Sequence, residues 1–86
     1  MALRRKVAAL LSLPKEIALD LPLVILTGRE EVSIENYKGI LEYTDKKIRI
    51  NTKVGLFIAE GNRLRLKQIT AETVVLSGDI VSINFR

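Results

Sequence analysis

The side chains in this sequence with the most chemistry to offer are cationic. Arg63, Arg65 and Lys67 alternate along one short segment, and Lys47 and Arg49 along another. At a period of two, each set falls on one face of a strand. Arg49, Arg63, Arg65 and Lys67 would then form a basic face able to meet phosphates, as small β-barrels do. Such barrels add aromatic platforms for base stacking. The aromatic residues here, Tyr37, Tyr43, Phe57 and Phe85, all lie outside the Arg63–Lys67 segment. The preferred reading is a solvated outer face whose charges discourage edge-to-edge pairing. Binding of nucleic acid is the secondary one.

Catalytic chemistry has little to work with. The chain holds no His and no Cys, which removes the usual general base, the commonest metal ligand and any thiolate. Ser12, Ser33, Ser77 and Ser82 have no imidazole to activate them. Glu30, Glu31, Asp45 and Asp79 fall at expected turns, where a solvated carboxylate is ordinary. No phosphate-cradling Gly loop, HExxH, CxxC or EF-hand loop occurs. The expectation is a non-enzymatic protein that acts by binding, with no catalytic residue, cofactor or metal.

The elements that position these residues follow from size and pattern. A chain of 86 residues supports one domain. Its 48% hydrophobic and 28% charged content belongs to a folded protein, and its formal charge is +4. Residues 1–21 read as an N-terminal arm. Leu3, Val7, Leu10 and Leu11 share one face at helical spacing, flanked by Arg4, Arg5 and Lys6. Pro14 stops this helix and suits the start of a second short turn reaching Asp20. The apolar run is far shorter than the roughly 20 residues that span a bilayer. No cleavage site follows it, so a secretory signal is not expected and a cytoplasmic protein is. The arm packs on the protein's own core or rests on a membrane or partner through Val7, Leu10 and Leu11.

Residues 22–86 read as an all-β domain. Strand starts recur about every eight residues, near Leu23, Glu31, Gly39, Lys47, Gly55, Arg63, Thr73 and Ile80. Breaks are expected at Thr27-Gly28-Arg29, Asn36-Tyr37-Lys38-Gly39, Thr44-Asp45-Lys46, Glu60-Gly61-Asn62 and Ser77-Gly78-Asp79. The fold class is therefore mainly β: about eight short antiparallel strands in a meander, roll or small sandwich. A β-solenoid is the alternative. Clean alternation buries Val32, Ile34, Ile48, Ile50, Leu64 and Leu66. Leu23–Leu26, Leu56–Ala59 and Val74–Leu76 are apolar on both faces, and their second face needs cover from the arm, a second sheet or another subunit. Phe57 and Val75 are thus candidate interaction residues. Tyr37, in an expected turn, is expected to be an exposed contact, and Tyr43 to be in the core.

The run from Asp20 to Phe85 resembles the YabP/YqfC family of sporulation proteins, nearest to its YqfC branch. The residues that carry the likeness are Leu13-Pro14, Asp20-Leu21-Pro22, Leu26-Thr27-Gly28, Ile34 through Tyr43, Ile48 through Thr52, Gly61-Asn62 and Leu76 through Ile80. The resemblance implies a role in the mother cell of an endospore-forming bacterium, without catalysis. It also implies a neighbouring gene for a larger membrane protein as the source of a partner. The combined expectation is an assembly, scaffold or adaptor module. It would form a homo-oligomer or dock on that membrane protein, in the cytoplasm of the mother cell and open to peripheral membrane contact.

Overall fold

The computed structural model describes residues 19–86. Six strands follow one another: β1 (Leu23–Thr27), β2 (Glu31–Glu35), β3 (Tyr37–Tyr43), β4 (Lys47–Thr52), β5 (Gly55–Ile69) and β6 (Thr73–Phe85). They form one sheet in the order β1-β2-β6-β5-β4-β3, with every neighbouring pair antiparallel. Antiparallel pairing throughout excludes the solenoid, whose rungs stack in parallel. The expected helical arm, with Val7, Leu10 and Leu11, lies outside the described residues.

The strand order forces this sheet to curl. β2 and β3 are four places apart in it, which in a flat sheet is about 19 Å. Only Asn36 separates them in the chain, and two peptide steps reach about 7 Å. The far edge must therefore turn back until β3 stands beside the end of β2. Asn36 makes this corner with a φ of 64°, a left-handed conformation that Asn tolerates better than most residues. Its backbone N–H donates to the Glu72 carbonyl at 2.8 Å. Its Nδ2 donates to the Leu21 carbonyl at 2.9 Å.

β5 and β6 carry the curl because they are long and interrupted. Eight strands were expected and six are found, since the glycine-bearing breaks at Glu60-Gly61-Asn62 and Ser77-Gly78-Asp79 are bulges rather than turns. The β5–β6 register shifts at three points, leaving Arg63, Leu64, Lys67 and Val81 without direct cross-strand partners. Bulges bend a strand and increase its twist. The first half of β5 therefore pairs with β4, while the second half of β6 pairs with β5 alone and the first half of β6 pairs with β2 on one side and β5 on the other. At the bend the two strands approach closely. A Cβ on Gly61 would stand 1.9 Å from the Asp79 carbonyl oxygen, and one on Gly78 2.6 Å from that of Arg63.

The turns after β3, β4 and β5 use threonine hydroxyls, whereas the β1–β2 turn closes through Glu30 N–H to the Thr27 carbonyl at 3.2 Å. Thr44 Oγ1 accepts from the N–H groups of Lys46 and Lys47, and Thr70 Oγ1 from those of Glu72 and Thr73. Thr52 Oγ1, almost fully buried, donates to the Gly55 carbonyl at 2.7 Å and accepts from Val54 N–H. A hydroxyl that satisfies turn amides replaces the backbone bonds a tighter turn would supply.

Curling gives the sheet one inner face and one core. Val32 and Ile34 from β2, Ile48 and Ile50 from β4, Phe57, Ala59 and Leu64 from β5, and Val74, Leu76 and Ile80 from β6 form a single buried cluster. Phe57 was expected at an interacting second face. It is 1% exposed and stacks edge-to-face on Phe85 with ring centroids 5.3 Å apart. The two tyrosines exchange their expected places. Tyr37 packs against the core and donates its hydroxyl to the Thr70 carbonyl. Tyr43 is 49% exposed, and its hydroxyl accepts from Leu66 N–H at 3.3 Å. The tyrosines thus reach from β3 to the second half of β5 and the turn just after it, across the seam where the curled sheet comes round on itself.

Candidate interaction surfaces

The basic face read from the sequence is divided by the curl. Arg49 lies on the outer side of β4, where its Nε stands 3.2 Å from the Glu42 carboxylate as an ion pair whose angle falls short of a hydrogen bond. Lys67 Nζ donates to Glu31 at 2.9 Å. Only Arg63 and Arg65 remain together. They line an open cleft over the β5–β6 bend with Arg29, Glu30, Ser77, Gly78 and Asp79. The bend makes the surface concave, and the β1–β2 turn supplies its far wall. That turn is fixed to β6 by Gly78 N–H to the Glu30 carbonyl at 3.1 Å and Ile80 N–H to the Arg29 carbonyl at 2.8 Å. Arg29 was absent from the sequence reading because nothing in its tripeptide Thr27-Gly28-Arg29 marks it as close to residues fifty positions later.

The apolar surplus is also placed differently from expectation. On the outer face, Ile58 is only 4% exposed. It lies directly opposite Arg49 on one side and Asn84 on the other, and long aliphatic stems of this kind cover apolar neighbours. Val75, opposite Ser33, is half-buried, as are Leu23 and Ile25. The exposed apolar side chains lie instead on the rims. Leu41, at 57%, and Val81, at 63%, are bulge residues that the register shifts leave without cross-strand partners. Leu26 is exposed on the edge strand β1. Leu26, Ile80, Val81 and Ile83 line a groove between that edge and the second half of β6. Among the described residues, β6 from Val81 to Phe85 has a strand on one side only.

A third feature is the corner where the described chain enters. Asp20, with a φ of 58°, pairs with Lys38, and Lys53 Nζ donates to the Leu19 carbonyl at 2.7 Å. The Lys38 hydrogen bond, helped by the Lys38 and Lys53 charges, holds the Asp20 carboxyl below the ordinary aspartate value despite some desolvation in the opposite sense. Among the described residues no group of three or more acidic side chains is placed to hold a metal ion. No helix among them is long and apolar enough to cross a membrane.

Comparison with known proteins adds kinship. The family model for the YabP family matches residues 21–86. A protein of Bacillus subtilis (strain 168), described as uncharacterized protein YqfC, is 31% identical over 75 residues, which is 87% of this chain and 81% of that one. No solved structure matches.

Proposed function

Because the chain belongs to the YabP family, we propose that it is a non-enzymatic assembly or adaptor module of spore formation, acting in the mother cell. The single observation that supports this reading is the groove between β1 and β6. A bare strand edge is a template for another strand, and soluble β-proteins blunt such edges with charge or proline. Here, among the described residues, the edge of β6 from Val81 to Phe85 is unpaired on one side and flanked by Leu26, Val81 and Ile83. An added strand would gain backbone hydrogen bonds from the edge and apolar contact from the groove. The occupant in this reading is a second copy of the chain.

Gel filtration with light scattering tests the proposal. The wild-type protein is expected to be an oligomer at high micromolar concentration. Val81→Lys is expected to be a monomer with an unchanged melting temperature, since its side chain is exposed and outside the core. A wild-type monomer with no affinity for a neighbouring membrane protein would refute the assembly reading. The same follows if V81K has the same mass as wild type and Leu26→Lys does too.

A further inference from the structure

We infer that the cleft over the β5–β6 bend is a binding site for a single phosphate group, formed by Arg29, Arg63 and Arg65. The inference does not rest on the assembly reading: apart from Arg29, which borders both, the groove and the cleft are lined by different residues. Three guanidinium groups arrive from two separate parts of the chain, and two of them are held through the Nε atom. Arg29 Nε donates to the Ile80 carbonyl at 3.4 Å, and Arg65 Nε to Ser77 Oγ at 3.1 Å. Anchoring at Nε fixes the plane of a guanidinium. Among the described residues, both terminal nitrogens of Arg65 and one of Arg29 have no hydrogen-bond partner. Guanidinium forks held in this way suit a phosphate, which they bind in bidentate fashion.

Arg63 carries the argument further. Its φ is 53°, a conformation that costs a non-glycine residue on the order of 1 kcal/mol or more. Gly61 and Asn62, residue types that adopt it easily, stand just before it. The bulge by itself gives no reason for an arginine at this point. Among the described residues the Arg63 side chain makes no ion pair and no hydrogen bond, and it lines the same cleft as Arg29 and Arg65. Backbone strain beneath an unpartnered, convergent cation is how a ligand-directed residue looks.

The charge balance selects the size of the ligand. Glu30 and Asp79 also line the cleft. Asp79 is engaged by Arg29 at 3.5 Å and by Asn62 Nδ2 at 3.3 Å. Three cations against two carboxylates leave a single net positive charge. A duplex, with a phosphate charge about every 1.7 Å of axis, would press its neighbouring charges on those carboxylates. One compact phosphate can lie among the arginines alone. Inorganic phosphate, a nucleotide and a phosphomonoester lipid headgroup share that chemistry.

The test is a nitrogen-15 NMR titration of the full chain at constant ionic strength. Inorganic phosphate and a nucleoside monophosphate form two arms, with flotation on phosphatidylcholine vesicles with and without phosphatidic acid as the third. Saturable shifts are expected at Arg29, Arg63, Arg65, Ser77 and Gly78, including the arginine Nε–H signals. Arg63→Gln and Arg65→Gln are each expected to weaken binding about tenfold or more, as loss of a charged hydrogen bond does. Lys67→Gln is expected to bind as wild type. Arg63→Gly relieves the backbone and is expected to lose binding while melting no lower than wild type, which separates binding from folding. Binding in the vesicle arm alone, if abolished by R63G, supports the site with a headgroup as its source. No saturable binding in any arm overturns the inference. So does equal binding by R63Q, or tight duplex binding that depends equally on Arg49 and Lys67.

Discussion

Replacing Gly61 by alanine adds one methyl group at the point where β5 and β6 come closest. The new carbon would lie 1.9 Å from the Asp79 carbonyl oxygen, 3.0 Å from its carbon and 3.1 Å from the Ile80 Cα. The first distance is more than 1 Å inside the closest approach that real Cβ atoms show. The obstacle is backbone, so no side-chain rotation relieves it, and the bend that gives the sheet its curl must open. Overpacking costs about 1–3 kcal/mol where side chains can yield, so about 3 kcal/mol is the appropriate figure here. For a domain of this size each kcal/mol lowers the melting temperature by about 4–8 °C, giving a loss of about 12–24 °C. Gly39→Ala is the control. It also lies within a strand, but its added methyl meets nothing within 4 Å. It is expected to be neutral or to stabilise by up to about 1 kcal/mol. Thermal unfolding followed by circular dichroism measures both. A G61A variant melting within about 4 °C of wild type, a difference of less than about 1 kcal/mol, would refute the close-packed bend.

Two further outcomes follow from the core and the entry corner. Phe57→Ala removes a fully buried ring and its edge-to-face partner, and is expected to cost about 3–5 kcal/mol in urea denaturation; a cost below about 1 kcal/mol would show that the ring is not central. Asp20 has its carboxyl lowered by the Lys38 hydrogen bond. Its contribution to stability is therefore present above the ordinary aspartate value and is lost as the pH falls through the lowered folded value. Asp20→Asn is expected to match wild type in strong acid and to fall behind it near neutrality. Parallel stability curves for the two proteins across that range would refute the pairing.

Much of the β architecture was legible in the alternation of residue types. Val32, Ile34, Ile48, Ile50 and Leu64 were expected inside and are inside, and Leu66, expected with them, is half-buried against the core. The strand count was not legible, because Gly and Asn signal positive φ without saying whether the chain reverses or only bulges. At Gly28 it reverses, and at Gly61 and Gly78 two long strands bend together. The reversals at Thr52–Gly55 and Thr70–Thr73 were missed among the breaks because Lys53-Val54 and Ala71-Glu72 between the turn ends carry no Gly, Pro, Asn or Asp, whereas Asp45 marked the similar turn at Thr44. Tyr37, expected in a turn, instead opens β3 opposite the buried Thr52, while Tyr43, opposite the core residue Ile48, is left exposed at the far end of this edge strand. Of the candidate basic residues, Arg63 and Arg65 stay together, since they are two apart on one strand. Arg49, on β4, is carried away by a curl that alternation cannot encode, and Lys67 is taken up by Glu31. The joining of Arg29 to Arg63 depends on the docking of the β1–β2 turn, a contact far too long in sequence for a local pattern to show.

The single-residue link at Asn36 has a kinetic consequence. β3, β4, β5 and β6 are successive hairpins and can zip together through short-range contacts. β2 gains its place only by pairing residues 31–35 with residues 73–77, about forty positions away along the chain. Closing that loop carries an entropic cost that the rest of the sheet must already be formed to offset. The β1–β2 hairpin is thus expected to dock last as the chain folds, so the wall it lends to the arginine cleft is assembled late.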